Sequence, residues 1–341
     1  MCMYKVIIDL RTTDRDDTAQ YKAKNDIADV LVSTGFHCIP YYFYESELKK
    51  LLSVYKFIYQ LSKLHSGYLF YQFPLGSKQV DKLVLSQLTQ NKKIKKIAII
   101  HDLESLRYFT VQHGFQGTEL ALLQKFDGLI VHNNVMKKLL QDAGIRLPIV
   151  SLQIFDYLSR NPIVVPTEAL CIAFAGNLGK STFLGQLAVK TQFNAYGPNE
   201  LKEYPNNISY KGAFTPDELI GKMNESFGLI WDGDRTDTCA GVYGNYEKFN
   251  SPHKLSLYLA TGMPVIVWKE STISEFVTKN NLGLVVESLN EIDAILAKIS
   301  MERYAEIKAN AVAMSKKVRS GYFIKRASRS IIDALKNSAK G

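Results

Sequence analysis

The sequence predicts an α/β protein built of two doubly wound domains that face each other across a cleft. Three observations carry this reading. Apolar, strand-like runs alternate with amphipathic, helix-like stretches along the whole chain, the pattern of parallel sheets covered by helices. A segment with two prolines and no helical period, SRNPIVVPTEA at 159–169, interrupts the alternation, and a second series follows it. The length of 341 residues exceeds one typical domain and suits two.

The elements follow in order. YKVIIDL (4–10) reads as the first strand and precedes an amphipathic stretch near 19–34. HCIPYYFY (37–44) precedes a helical stretch at 46–65, and YLFYQFP (68–74) precedes another at 78–91. KIAIIHD (96–102) and GLIVHN (128–133) complete the first series. The second series holds LCIAFAG (170–176), FNAYG (193–197), ISYKG (208–212), FGLIWDG (227–233), PVIVW (264–268) and LGLVVE (282–287). The tail RSGYFIKRASRSIIDALKNSAK reads as a last amphipathic helix. Residues 1–158 with 318–341 are expected to form one Rossmann-like domain, and 165–317 the other.

Composition narrows the class. No apolar run approaches the roughly 20 residues that span a bilayer. The start, MCMYKVIIDL, lacks the basic segment and apolar core of a signal peptide. Cys2, Cys38, Cys171 and Cys239 form no CxxC pair, which argues against a disulfide framework and for a reducing cytoplasm. The formal net charge of +9 is uneven. Residues 1–158 hold 20 Lys and Arg against 15 Asp and Glu, 159–317 hold 16 against 17, and 318–341 hold 6 against 1. Runs such as NKKIKK (91–96) either attract phosphates of a nucleic acid or an anionic membrane, or form a solvated helix end.

In doubly wound domains ligands bind beyond the carboxyl ends of strands, so those positions come first. FAGNLGKST follows a strand and is expected to open a helix. Gly176 and Gly179 permit close backbone approach, while Asn177, Lys180, Ser181 and Thr182 offer donors. Such a loop holds a phosphate with the helix start, although the P-loop spacing is absent. The plainer alternative is a glycine turn with a capping Ser or Thr. NSPHK at 250–254 is the second such loop. Ser251 is expected to cap the next helix, with Pro252 in its first turn. Lys254 then lies where the helix dipole disfavours a cation by a few tenths of a kcal/mol, unless an anion is present. Two phosphate-type loops in one domain point to a nucleotide with a leaving diphosphate.

The stretch GLIWDGDRTDTCAGVYGNYEKFN (228–250) has four glycines and the length of a functional lid. Its Asp232 and Asp234 either bind a divalent cation beside a diphosphate or form the acidic rim of a turn. In the first domain, the loop RTTDRDDTAQYKAKND offers Asp14, Asp16, Asp17, Lys22 and Lys24. HDLESLR offers His101, Asp102, Glu104 and Arg107. A carboxylate here can deprotonate an acceptor hydroxyl, with Asp17 and Asp102 the leading candidates and His101 next. The plainer alternatives are helix capping by Asp17 or Thr18 and a solvated Glu104–Arg107 pair.

These residues carry a resemblance. HDLESLR, IFDYL (154–158), FAGNL (174–178), GLIWDGD, TCAGVYGNYEKFN and PHKLSLYL occur in the order seen in bacterial β-1,6-galactofuranosyltransferases. The chain resembles that family of GT-B glycosyltransferases and, more distantly, the glucosyltransferases that modify serine-rich adhesins. The resemblance implies a UDP-sugar donor, UDP-galactofuranose first and UDP-glucose second, and inversion by one direct displacement. It implies a donor domain at 165–317 that uses Gly176, Asn177, Lys180, Ser181, Asp232, Ser251, His253 and Lys254, and no cofactor or catalytic metal. It further implies a glycan acceptor on a lipid diphosphate carrier at the inner face of the membrane. The sequence departs from many GT-B enzymes at Leu257, where those carry a ribose-binding glutamate.

A non-catalytic nucleotide or sugar sensor is the alternative of another class. A nucleic-acid partner is not expected, because no recognition module is present. The basic ends predict salt-sensitive, peripheral binding to an anionic membrane without an inserted helix. Homo-oligomerisation stays open.

Overall fold

The computed structural model describes residues 4–12, 19–44, 46–108, 117–163 and 170–338. The chain divides into two compact units, Met1–Asp156 with Gly321–Gly341, and Tyr157–Ser320.

The first unit holds β1 (Lys5–Thr12), β2 (His37–Phe43), β3 (Gly67–Phe73), β4 (Ile94–Ile100), β5 (Gly128–Val131) and β6 (Ile149–Ser151). All pairings are parallel, in the order β2-β1-β3-β4-β5-β6. Every residue of β3 and of β5 is buried, as expected for strands covered on both faces. Five of these strands are legible in the sequence. β6 is not, because its three residues are too few to show a period.

The tail helix Tyr322–Ser338 belongs to this unit. Asp156 caps it by accepting from the backbone N–H groups of Phe323 (3.1 Å) and Ile324 (2.7 Å). Its Ile331 side chain lies against Gly128 in β5, where an added Cβ would meet Ile331 Cδ1 at 3.0 Å.

The NKKIKK run is not a solvated helix end. The preceding helix ends at Leu88, and β4 begins at Ile94. Lys96 is buried with its ammonium 2.8 Å from Asp127, and Lys95 lies 3.4 Å from the same carboxylate. Part of the run's charge is therefore met inside the protein.

The second unit holds β7 (Cys171–Ala175), β8 (Gln192–Tyr196), β9 (Ile208–Gly212), β10 (Phe227–Ile230), β11 (Val265–Trp268) and β12 (Gly283–Val286). Again all pairings are parallel, in the order β12-β11-β10-β7-β8-β9. The first strand of the series, β7, thus pairs with β8 on one side and β10 on the other. Chain direction across the sheet reverses between β7 and β10, the topological switch point where doubly wound sheets bind ligands.

Candidate functional site

The switch point of the second unit gathers three sequence-predicted residues. Gly176 follows β7, Asp232 lies just beyond β10, and Lys254 enters from the helix His253–Ala260. That helix carries Lys254 and Tyr258 four residues apart, hence on one face. Tyr258 is fully buried, and its hydroxyl accepts from the Ala175 backbone N–H at 2.8 Å. The ring needs the space left by Gly228 in β10, where a Cβ would come within 2.2 Å of Tyr258 Cγ. One turn earlier, Lys254 places its ammonium 2.6 Å from Asp232 Oδ1 and 4.6 Å from the centre of the Phe174 ring. Its Cε would lie 3.1 Å from a Cβ on Gly176. The glycine at 176 therefore leaves room for the lysine stem.

The helix start differs from the expected cap. Pro252 is the N-cap and the helix begins at His253, so Ser251 stands outside it and is buried. Proline has no side-chain acceptor for the first N–H groups. Lys254 is still in the first turn, and the anion that offsets the dipole is the Asp232 carboxylate. The His253 ring stacks on Tyr157 at 5.1 Å.

FAGNLGKST does not open an α-helix. Two short 3-10 turns, Leu178–Lys180 and Thr182–Gln186, follow β7. Asn177 is the cap, its side chain accepting from Gly179 N–H at 3.2 Å and from Asn199 Nδ2 at 3.1 Å. Ser181 is buried and donates to the Asn177 carbonyl at 3.3 Å. Lys180 holds its ammonium 4.5 Å from the Tyr243 ring centre. Gly197, at φ +138°, lets β8 end against Gly176, whose carbonyl oxygen would sit 1.8 Å from a Cβ.

The 228–250 stretch contains the short helix Gly241–Tyr246 and is tied to its own unit. The Trp231 indole donates to the Arg235 carbonyl at 2.8 Å, and the Leu289 N–H to the Thr236 carbonyl at 2.7 Å. Asp234 is exposed, while Asp232 faces Lys254, so the D-x-D carboxylates have different surroundings.

The first unit has its own polar cluster at its switch point, between β1 and β3. Gln72 is fully buried and donates to the Ile8 carbonyl at 2.9 Å, joining the two strands. Its Oε1 lies 2.9 Å from His101 Nε2, and the His101 ring stacks on Phe155. Asp102 pairs with Arg107 at 2.6 Å, and Glu104 with Lys78 at 2.6 Å, in place of the expected Glu104–Arg107 pair. Lys24 is fully buried and donates to the Pro74 carbonyl. Burial pushes its ammonium down to about 8, against the opposing pull of Asp81 and Asp102. Asp14, Asp16, Asp17 and Thr18 lie outside the described residues.

The glucosyltransferase 3-like models match almost end to end, the N-terminal domain at residues 5–154 and the C-terminal domain at 172–331. The chain is 30% identical over 334 residues to the β-1,6-galactofuranosyltransferase WbbI of Escherichia coli (strain K12), spanning 96% of this chain and 98% of that one. The chain belongs to the glucosyltransferase 3-like family of GT-B glycosyltransferases.

Glucosyltransferase 3 of Streptococcus gordonii is 26% identical over 328 residues, 92% of this chain and 93% of that one. In fold, the chain is similar to Anabaena HepE, solved in complex with UDP-glucose. The TM-score is 0.60 at 12% identity, covering 98% of this chain and 99% of that chain.

Within this glucosyltransferase 3-like chain, sequence reasoning missed Glu247. It is buried beside the Lys254–Asp232 pair, and the Cys239 thiol points at its Oε2 from 3.8 Å. Among the described residues its Oε1 has no hydrogen-bond partner. Burial, with the nearby Asp232 charge, pushes the carboxyl up to about 8 despite Lys254. The sequence signal is an acidic residue directly after AGVYGNY (240–246), a run of glycine, asparagine and apolar residues. Leu257, at the position of the ribose-binding glutamate in many GT-B enzymes, is buried among apolar neighbours of its helix.

Proposed function

We propose that the protein is an inverting, metal-independent hexosyltransferase that moves galactofuranose from UDP-galactofuranose to a glycan acceptor in bacterial surface polysaccharide assembly. The observation that carries the donor site is the Lys254 ammonium at the first turn of His253–Ala260, beside Gly176 and at the sheet's switch point. A helix start with a lysine is suited to a diphosphate. The sugar rests on the likeness to WbbI.

The acceptor hydroxyl oxygen attacks the anomeric carbon as the bond to the β-phosphate oxygen breaks. The bonding pair leaves with UDP, and the hydroxyl proton passes to a base. Lys254 and the helix N–H groups stabilise the charge that develops on the leaving diphosphate. Asp102, Asp17 and His101 are the candidate bases in the first unit. Asn177, Lys180, Ser181, Asp232, Ser251 and His253 complete the proposed donor surroundings.

The acceptor is carried on a lipid diphosphate, and the basic first unit holds the protein at an anionic membrane surface. Met1–Asp156 with Gly321–Gly341 carries 25 basic against 16 acidic residues, while Tyr157–Ser320 carries 17 of each. Among the described residues no helix is long and apolar enough to cross a membrane.

The test is turnover against a panel of UDP-sugars. UDP release is expected to be fastest from UDP-galactofuranose. Preference for UDP-glucose would favour the second reading, a glucosyltransferase, which the likeness to glucosyltransferase 3 supports. Binding of UDP-sugars without any turnover would leave a sensor.

A further inference from the structure

The helix Glu47–Ser62 is apolar on two faces. One face carries Val54, Phe57 and Leu61, all buried, with Phe57 packed on Tyr41 at 4.9 Å. The other carries Leu48, Leu51, Leu52, Tyr55 and Tyr59, which are between 57% and 74% exposed. At about 100° per residue these five fall within an arc of roughly 100°. Because the opposite face is locked into the core, the exposed stripe cannot rotate inward. On the neighbouring edge strand β2, Tyr42 is also exposed and stacks with Tyr44 at 6.5 Å. The Ser53 hydroxyl ties the helix to the Tyr42 carbonyl. Exposed apolar area concentrated in this way marks an interaction surface.

Charge selects its occupant. Lys49, Lys56 and Lys63 recur every seven residues and run along one flank of the stripe, all exposed. The Lys63 ammonium sits 4.3 Å from the Tyr59 ring centre, at the border of the apolar face. Glu47 is the only acidic residue in the helix. A second copy docking antiparallel through the same face would bring two such lysine rows to the same side. An apolar stripe with tyrosines and a basic flank matches the headgroup boundary of an anionic bilayer, with apolar tips in the acyl region and ammonium groups at phosphate level.

We propose that Glu47–Ser62 is a membrane-docking helix, lying in the plane of an anionic phospholipid surface with Leu48, Leu51, Leu52, Tyr55 and Tyr59 inserted. This rests on the membrane-surface reading above and deepens it. It also revises the expectation of charge-driven binding without insertion, because the sequence alone does not show which apolar residues stay exposed.

The full chain is to be sedimented with phosphatidylglycerol-containing vesicles at low and high salt, beside a Leu51→Ser/Tyr55→Ser variant. Both substituted side chains are exposed, and UDP affinity by calorimetry checks that the donor domain is intact. Binding by the unaltered chain is expected to weaken but persist at high salt. The variant is expected to lose on the order of tenfold in vesicle affinity. A Leu52→Cys variant carrying an environment-sensitive fluorophore is expected to shift its emission to the blue on binding. Binding that salt abolishes and the variant leaves unchanged would reduce the interaction to charge and overturn insertion. Failure to bind vesicles overturns the proposal and the membrane reading together, and a dimer that the variant breaks then identifies a second copy as the occupant. Lys254→Ala separates this from the donor-site reading, since it is expected to alter UDP affinity and leave vesicle binding unchanged.

Discussion

The Lys254 ammonium lies 2.6 Å from Asp232 Oδ1, so a cation at a helix start is met by a carboxylate from the end of β10. Both groups sit at the switch point between β7 and β10, and a diphosphate bound there, as proposed, would compete with Asp232 for the lysine. Lys254→Ala is expected to weaken UDP binding by about 1.5–3 kcal/mol, the size of a charge-assisted contact. Asp232→Asn is expected to act in the opposite direction, because it frees the ammonium and removes a negative charge beside the ligand. Calorimetric titration of both variants with UDP checks this. Weaker binding in Asp232→Asn would instead make the carboxylate a brace that positions Lys254.

Chelation is expected to leave turnover largely intact. In the proposed mechanism Lys254 and the helix start would supply the positive charge that a metal otherwise gives. Restoration of an EDTA-abolished activity by Mg²⁺ or Mn²⁺ would make Asp232 and Asp234 ligands and reverse this reading.

Removing the catalytic base is expected to lower kcat by about 10²–10⁴-fold with little change in donor affinity. Asp102→Ala and Asp17→Ala are the variants to measure. Asp102 also holds Arg107, so Asp102→Asn, which keeps much of the shape, separates loss of the base from loss of that contact. If both alanine variants retain kcat, His101, held by Gln72, is the next to replace.

Glu247 is expected to make stability depend on pH. Burial raises its carboxyl from the ordinary 4.5 to about 8. Between these values the folded chain keeps a proton that the unfolded chain has lost. The residue's contribution is therefore full below about pH 4.5 and is lost as pH rises through about 8. Glu247→Gln is expected to remove that loss, so its Tm advantage over the unaltered chain grows from about pH 6 to about pH 9. A gain of about 1 kcal/mol corresponds to roughly 2–4 °C for domains of this size. Parallel Tm profiles of the two proteins would refute a buried, protonated Glu247.

Local pattern alone determined the two α/β series, eleven of the twelve strands among the described residues, and the glycine and lysine positions near the β7–β10 switch point. Strand runs show themselves through apolar content over four or more residues. The three residues of β6 were too short for such a signal. Only the tertiary structure paired β7 with β10, which put Gly176, Asp232 and Lys254 in one place, since strand order depends on contacts between residues far apart in sequence. It also decided that Glu247 is buried and that Leu51 and Tyr55 are exposed. Burial is a property of what packs against a side chain, and an amphipathic period does not say which apolar face the protein covers.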